Sequence, residues 1–248
     1  MIQNFQVSFK LNLIKSLLGG IMEIFTVLGW DLLLRWVHFL AGITWIGLLY
    51  YFNFVQGEWF KETDASAKSA AIQKLVPRAL WWFRWAAMVT FLAGVLALHS
   101  KGMQGGWGVF ASSYGILILT GSVLGTLMFL NVWLIIWPKQ QIVIASNNQV
   151  AGGGDPLPEA AECTAKAGLA SRTNTLFSIP MLLFMGAASH YPMIVTEATN
   201  YTALFWVLAI IIGIIEINAV VGKPGPIASV KGVITSGVVL TVVLFGVI

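Results

Sequence analysis

Charged residues are scarce in this sequence. They make up 10% of its 248 residues, while apolar residues make up 58%; a soluble domain carries about 25% charged residues. So little charge excludes an ordinary water-soluble globule and leaves lipid as the main surroundings. Cysteine is nearly absent: Cys163 stands alone, which rules out an internal disulfide, and no CxxCH motif is present to attach a c-type haem covalently. The net charge of +4 comes from 14 Lys and Arg scattered along the chain. No basic patch forms, so nucleic acid is excluded as a partner. No signal-peptide cleavage pattern stands out at the N-terminus.

What remains is a set of apolar runs. A bilayer core takes roughly 20 helical residues to cross. Six runs reach that scale or come near it: 30–54, 80–99, 112–137, 176–196, 203–222 and 232 to the C-terminus. The expected fold is an all-α polytopic bundle of about six transmembrane helices forming one domain over residues 22–248. Residues 1–21 are broken by Lys10, Lys15 and Gly19-Gly20. They read as an N-terminal extension or interfacial helix, with a seventh membrane helix as the alternative. Gly121 and Gly125 in the third span have GxxxG spacing, which lets helices approach closely. Pro180 marks an expected kink in the fourth.

Loop charge sets the orientation. Lys61, Lys68, Lys74, Arg78, Lys139, Lys166, Arg172, Lys223 and Lys231 fall in the odd-numbered connections, and only Lys101 falls in an even one. The basic side is therefore expected to be cytoplasmic, and span one to begin outside.

The first span carries a stripe at helical spacing: Arg35, His38, Ala41, Gly42 and Trp45. An ionisable residue inside a span is costly and points to function. His38 lies about eight residues from the outer end, roughly 12 Å at about 1.5 Å per residue. His190 of the fourth span lies at a similar depth. One turn deeper, His38 has Ala41 and Gly42, and His190 has Gly186 and Ala187. Imidazoles at one depth, each with small neighbours, suit a flat macrocycle between two helices, and imidazole is a haem-iron ligand. The expectation is a haem b held by His38 and His190, with Arg35 near a propionate and Trp45 lining the pocket. The unliganded alternative is a pair of polar residues bonding between helices. His99 has Val95 and Leu96 in the equivalent places and reads as an interfacial residue. On the basic side, Glu216, Asn218, Asn131 and Arg84 are expected to cluster, with Glu216 and Arg84 as an ion pair.

The stretches RWVHFLAGITWIG (35–47), WWFRW (81–85), NVWLIIWPKQ (131–140) and SRTNTLFSIPMLLFMGAASHYP (171–192) resemble the N-terminal membrane domain of the bacterial cytochrome-linked urate oxidases over roughly residues 22–222. By position the resemblance carries over Arg35, His38, Trp45, His190, Tyr191 and Pro192. It implies a bacterial inner-membrane oxidoreductase that oxidises urate and passes electrons to cytochrome c. No cytochrome c domain follows residue 248 here, so a separate cytochrome c or other redox partner at the periplasmic face is expected. Polar residues of the family pattern are replaced: the loop EWFKETDASAKSAAIQKL has no His or Gly, Asn174 is not preceded by His, and Ala86 follows WWFRW. More loosely, a His followed by WxG in span one is similar to haem-containing four-helix membrane proteins of the protoporphyrinogen-oxidase and copper-resistance type. Two other functions fit the same sequence, a non-catalytic accessory subunit of a larger membrane complex and a small-molecule transporter using Glu216.

Overall fold

The computed structural model describes residues 19–20, 22–191 and 200–248. Among them there are helices and turns and no strand. The helices are α1 (Val27–Glu62), α2 (Ala65–Lys74), α3 (Val76–Gly105), α4 (Ser113–Ala151), α5 (Ala160–His190), α6 (Tyr201–Val221) and α7 (Val230–Val247). Five of them, α1, α3, α4, α6 and α7, are long and apolar enough to cross a membrane. The chain is a multi-pass membrane protein, and the expected all-α bundle is what forms. Pro192 and most of residues 1–21 lie outside the described residues.

Helix α5 does not reach the apolarity of the other five, and its position explains why. It is the central helix, packed against α4, α6, α7 and part of α1. Thr173, Asn174, Thr175 and Ser178 are fully buried on it. Asn174 and Ser178 bond to neighbouring helices, Thr173 and Thr175 bond back to carbonyls of their own helix, and none of the four meets lipid. Asn53 donates to Ser171 Oγ at 2.8 Å, and Tyr50 Oη lies 2.9 Å from Ser178 Oγ, tying α1 to α5. Lipid instead meets residues such as Phe39, Ile43, Trp206 and Val242, all strongly exposed apolar side chains.

Several segments expected as loops are helical. Helix α4 runs 39 residues and α1 36. At about 1.5 Å per residue both far exceed the roughly 30 Å hydrocarbon core, so their basic ends project from it. The segment after α1 becomes α2 because it is rich in Ala, Lys and Gln, strong helix formers. Asp64 caps it, accepting from Ala67 N–H at 2.9 Å. The Ser66 hydroxyl, and then the Ala67 N–H, hold the Asp64 carboxyl below the ordinary carboxylate range. Ser69 donates to Asn147 Oδ1 at 3.2 Å and fastens α2 to α4. Arg172, 3.7 Å from Glu58, joins α5 to α1. The chain between α4 and α5 turns at Gly152–Gly154, where Gly153 has φ +89°.

Both α1 and α4 contain a π-helical turn, Tyr51–Gln56 and Asn131–Ile136. Each turn carries a buried asparagine, Asn53 and Asn131. Helix α5 continues through Pro180. The missing N–H there frees the Leu176 carbonyl, and Gly237 of α7 packs on that spot: a Cβ on it would stand 3.2 Å from the Leu176 oxygen and overlap Ile179 Cδ1.

The GxxxG pair also packs as expected. A Cβ at Gly121 would lie 3.1 Å from Met185 Cγ and 3.3 Å from the Met185 backbone nitrogen, and one at Gly125 would lie 3.4 Å from Met181 Sδ. Gly121→Leu is expected to separate α4 from α5 and lower stability by about 1–3 kcal/mol, the usual cost of overpacking. Unfolding of the detergent-solubilised protein measures it. A variant as stable as the parent would show that this contact is slack.

Candidate functional site

The two histidines meet at one cavity. It lies between the α1–α3 pair and the α4–α5 pair. One lobe, of about 480 Å³, is lined by Arg35, His38, Tyr114, Gly186 and His190 among others. A neighbouring lobe of about 470 Å³ shares His38 and Gly94 and extends along Gly42, Trp45 and Tyr50. These sizes fall in the usual range for small-molecule and cofactor sites. Exposed Phe39, Ile43 and Leu182 stand on its rim, so the cavity opens sideways towards lipid.

His38 is held by α3. Its Nδ1 lies 2.8 Å from the Thr90 carbonyl oxygen. A carbonyl can only accept, so Nδ1 donates. Neutral His38 thus carries its proton on Nδ1 and keeps the lone pair on Nε2. The ring rests directly on Gly94, where a Cβ would stand 2.9 Å from His38 Cε1 and 3.0 Å from Nδ1. Thr90 and Gly94 are site residues that the sequence reading missed. A hydroxyl residue and a glycine four apart share one face of span two, but nothing in the sequence marks that face as the one turned to span one.

His190 is the last residue of α5 and is exposed. A Cβ on neighbouring Gly186 would meet nothing within 4 Å, so the small pair leaves open space beside this imidazole. Gly42 differs: a Cβ there would lie 3.8 Å from Thr90 Cγ2, so its smallness also serves the α1–α3 contact. Arg35 reaches the cavity but is already paired. Its Nε donates to Asp31 Oδ2 at 2.7 Å, an i,i+4 pair that the sequence reading overlooked. Trp45 is 2% exposed, and its indole N–H has no partner among the described residues. The hydroxyls of Thr90, Ser122 and Thr126 bond to carbonyls of their own helices. The lobe that runs along Gly42, Trp45 and Tyr50 is therefore nearly apolar, with His38 Nε2 and the Trp45 N–H left over. Tyr191 packs on Phe245, ring centroids 5.6 Å apart. His99 lines neither lobe and packs on Trp107 at 5.7 Å.

The expected basic-side cluster divides in two. Asn131 Nδ2 donates to Asn174 Oδ1 at 3.0 Å and to Glu216 Oε2 at 3.2 Å, and Asn174 donates to the Met128 carbonyl at 2.9 Å. Glu216 therefore joins a buried amide network linking α4, α5 and α6. Arg84 is elsewhere, against Trp137, so the expected Glu216–Arg84 ion pair does not form. Asn218 donates to the Lys223 carbonyl at 3.2 Å and closes the end of α6. Asn174 was the unforeseen member, because a polar residue inside a span gives no sign of which helix it faces. Among the described residues, no three His, Cys, Asp or Glu side chains assemble as a metal cluster.

A helical membrane bundle with two imidazoles on one laterally open cavity is the class that fold and site define. Residues 106–245 match the family described as Urate oxidase N-terminal, more than half of the chain, and the protein belongs to that family. The match spans α4 to α7 and includes His190. It ends well beyond the resemblance seen in the sequence at 222 and does not include His38. No curated protein and no solved structure matches the chain.

Proposed function

We propose that the protein is a membrane electron-transfer or oxidoreductase protein of the bacterial inner membrane, holding one b-type haem between α1 and α5. The observation that carries the reading is that His38 and His190, far apart in sequence, line one cavity while His38 Nε2 is left as a free lone pair. The residues present fit the group. The Thr90 carbonyl orients the His38 ring and strengthens Nε2 as a donor to iron, as outer partners of metal-bound histidines do. Gly94 leaves room for that ring, and Gly186 leaves space beside His190. Tyr114 and the terminal nitrogens of Arg35, whose Nε is held by Asp31, stand in the same lobe as partners for carboxylates. Bound haem would supply one-electron exchange, its potential tuned by the apolar walls.

The site opens near the side away from the basic helix ends, so a separate cytochrome c or similar carrier at the periplasmic face is the partner this reading favours. Urate is the substrate that family membership suggests. The departures in the loop after α1 and before Asn174 fall on the opposite, basic side of the bundle from the two imidazoles. A reduced-minus-oxidised visible spectrum of the purified protein, with and without urate, tests both parts. A b-type α-band that responds to urate supports them together. A band indifferent to urate leaves electron transfer alone, and a colourless folded protein removes the haem. The transporter reading gains nothing from Glu216, whose carboxylate is engaged by Asn131 in a packed link.

A further inference from the structure

The basic side of the bundle holds a second polar site, separate from the cavity. Arg84 lies on α3 about 12 Å along the helix from Val76, at about 1.5 Å per residue. Its guanidinium carbon stands 3.8 Å from the centroid of Trp137 and 5.6 Å from those of Trp85 and Trp133. Among the described residues it forms no ion pair. Among the described residues its buried Nε has no hydrogen-bond partner, and Trp133 Nε1, on the ring beside it, is in the same position.

Both atoms can only donate, and a guanidinium stays protonated. The three indole faces attract the cation, but they carry no net charge and accept nothing in the plane of the guanidinium. The arrangement therefore calls for an acceptor that is anionic and offers more than one oxygen. Its level narrows the choice. Trp81 and Trp82 on the same turn are exposed, as aromatic residues at a bilayer interface are. Arg78 and Lys139 lie one or two turns further towards the basic end on the same two helices. Basic pockets between membrane helices at this level suit anionic head groups. The π-helical turn Asn131–Ile136 contains both Asn131, which it sends into the core, and Trp133, which it presents to α3.

We propose that Arg84, Trp133 and Trp137 form a binding site for the phosphate of an anionic phospholipid in the leaflet on the basic side. Phosphate oxygens accept from the Arg84 guanidinium and the Trp133 N–H, while Trp137 stacks under the guanidinium plane. Arg78 and Lys139 favour a net-negative head group over a zwitterionic one. The site is independent of haem and of urate.

Native mass spectrometry of the detergent-solubilised full chain, titrated with phosphatidylglycerol, tests it. One high-affinity adduct is expected, weakened about tenfold or more by Arg84→Gln and several-fold by Trp133→Phe. Arg84→Lys keeps the charge without the planar donor fork and should fall between. Arg78→Gln should narrow the preference for phosphatidylglycerol over phosphatidylcholine. Inorganic phosphate should not compete, and phosphatidylcholine should bind at least several-fold more weakly. Unchanged binding in both Arg84→Gln and Trp133→Phe would overturn the proposal and leave Arg84 merely reaching interfacial water. Equal competition by inorganic phosphate would overturn the lipid assignment. Trp133→Phe keeps the test decisive should Arg84→Gln fail to fold.

Discussion

His38→Ala is expected to lower the haem-to-protein ratio at least tenfold, with helical content and elution in detergent unchanged. The Soret and α bands should fall together. The expectation rests on the fixed ring: Nδ1 is committed to the Thr90 carbonyl at 2.8 Å, which leaves the lone pair on Nε2, and the residue lines the shared cavity. Loss of the imidazole would leave His190, on an exposed helix end, as the one remaining histidine to hold the group. Gly94→Val reaches the same result without touching the ligand. A Cβ at Gly94 already falls 2.9 Å from His38 Cε1, so a branched side chain must push the ring off α3. Haem occupancy should drop in that variant too, or the band position should shift as the ring turns. Full occupancy with an unshifted spectrum in His38→Ala would remove His38 from the site. An unshifted spectrum in Gly94→Val would mean that the ring's seat on α3 is irrelevant to it.

The second large effect is on stability. Asn174→Leu is expected to destabilise the bundle by about 2–4 kcal/mol, through unsatisfied buried polar groups and altered packing. Asn174 is fully buried and sits at the centre of the link, accepting from Asn131 and donating to the Met128 carbonyl. Interhelical hydrogen bonds in membranes average about 0.6 kcal/mol, so most of the loss should come from the groups left unpaired. The Asn131 amide would keep Glu216 but lose its second acceptor. Denaturation in mixed micelles measures the change. Haem content should stay at the parental value. A joint loss of stability and haem would show that the amide link and the cavity are one unit.

The distance between these two sites explains what could be read in advance. The spans were legible because bilayer thickness imposes a minimum apolar length on each helix. The Arg35–His38–Gly42–Trp45 stripe was legible because it lies on one helix, where spacing alone decides the face. The pairing of His38 with His190 came from matching depth in the membrane. The structure sets both residues on one cavity. Thr90 and Gly94 escaped notice because they act across a helix interface, and nothing in span two identifies the face turned to span one. Arg84 and Glu216 were paired on charge and depth alone. Depth is a single coordinate, and the angular position of each helix separated them.

The sequence by itself determined a multi-pass helical bundle, the depth of its polar residues and the small residues beside its histidines. These follow from lipid solvation and helical periodicity, which act within single segments. Only the tertiary structure decided that α5 is the polar centre, that α3 holds His38 by a backbone carbonyl, and that Asn131 stands between Asn174 and Glu216. These depend on how each helix is rotated about its own axis. That rotation is set by packing, by Gly94 and Gly121 at close approaches and by the two π-helical turns, whose effect appears only when all the helices are in place.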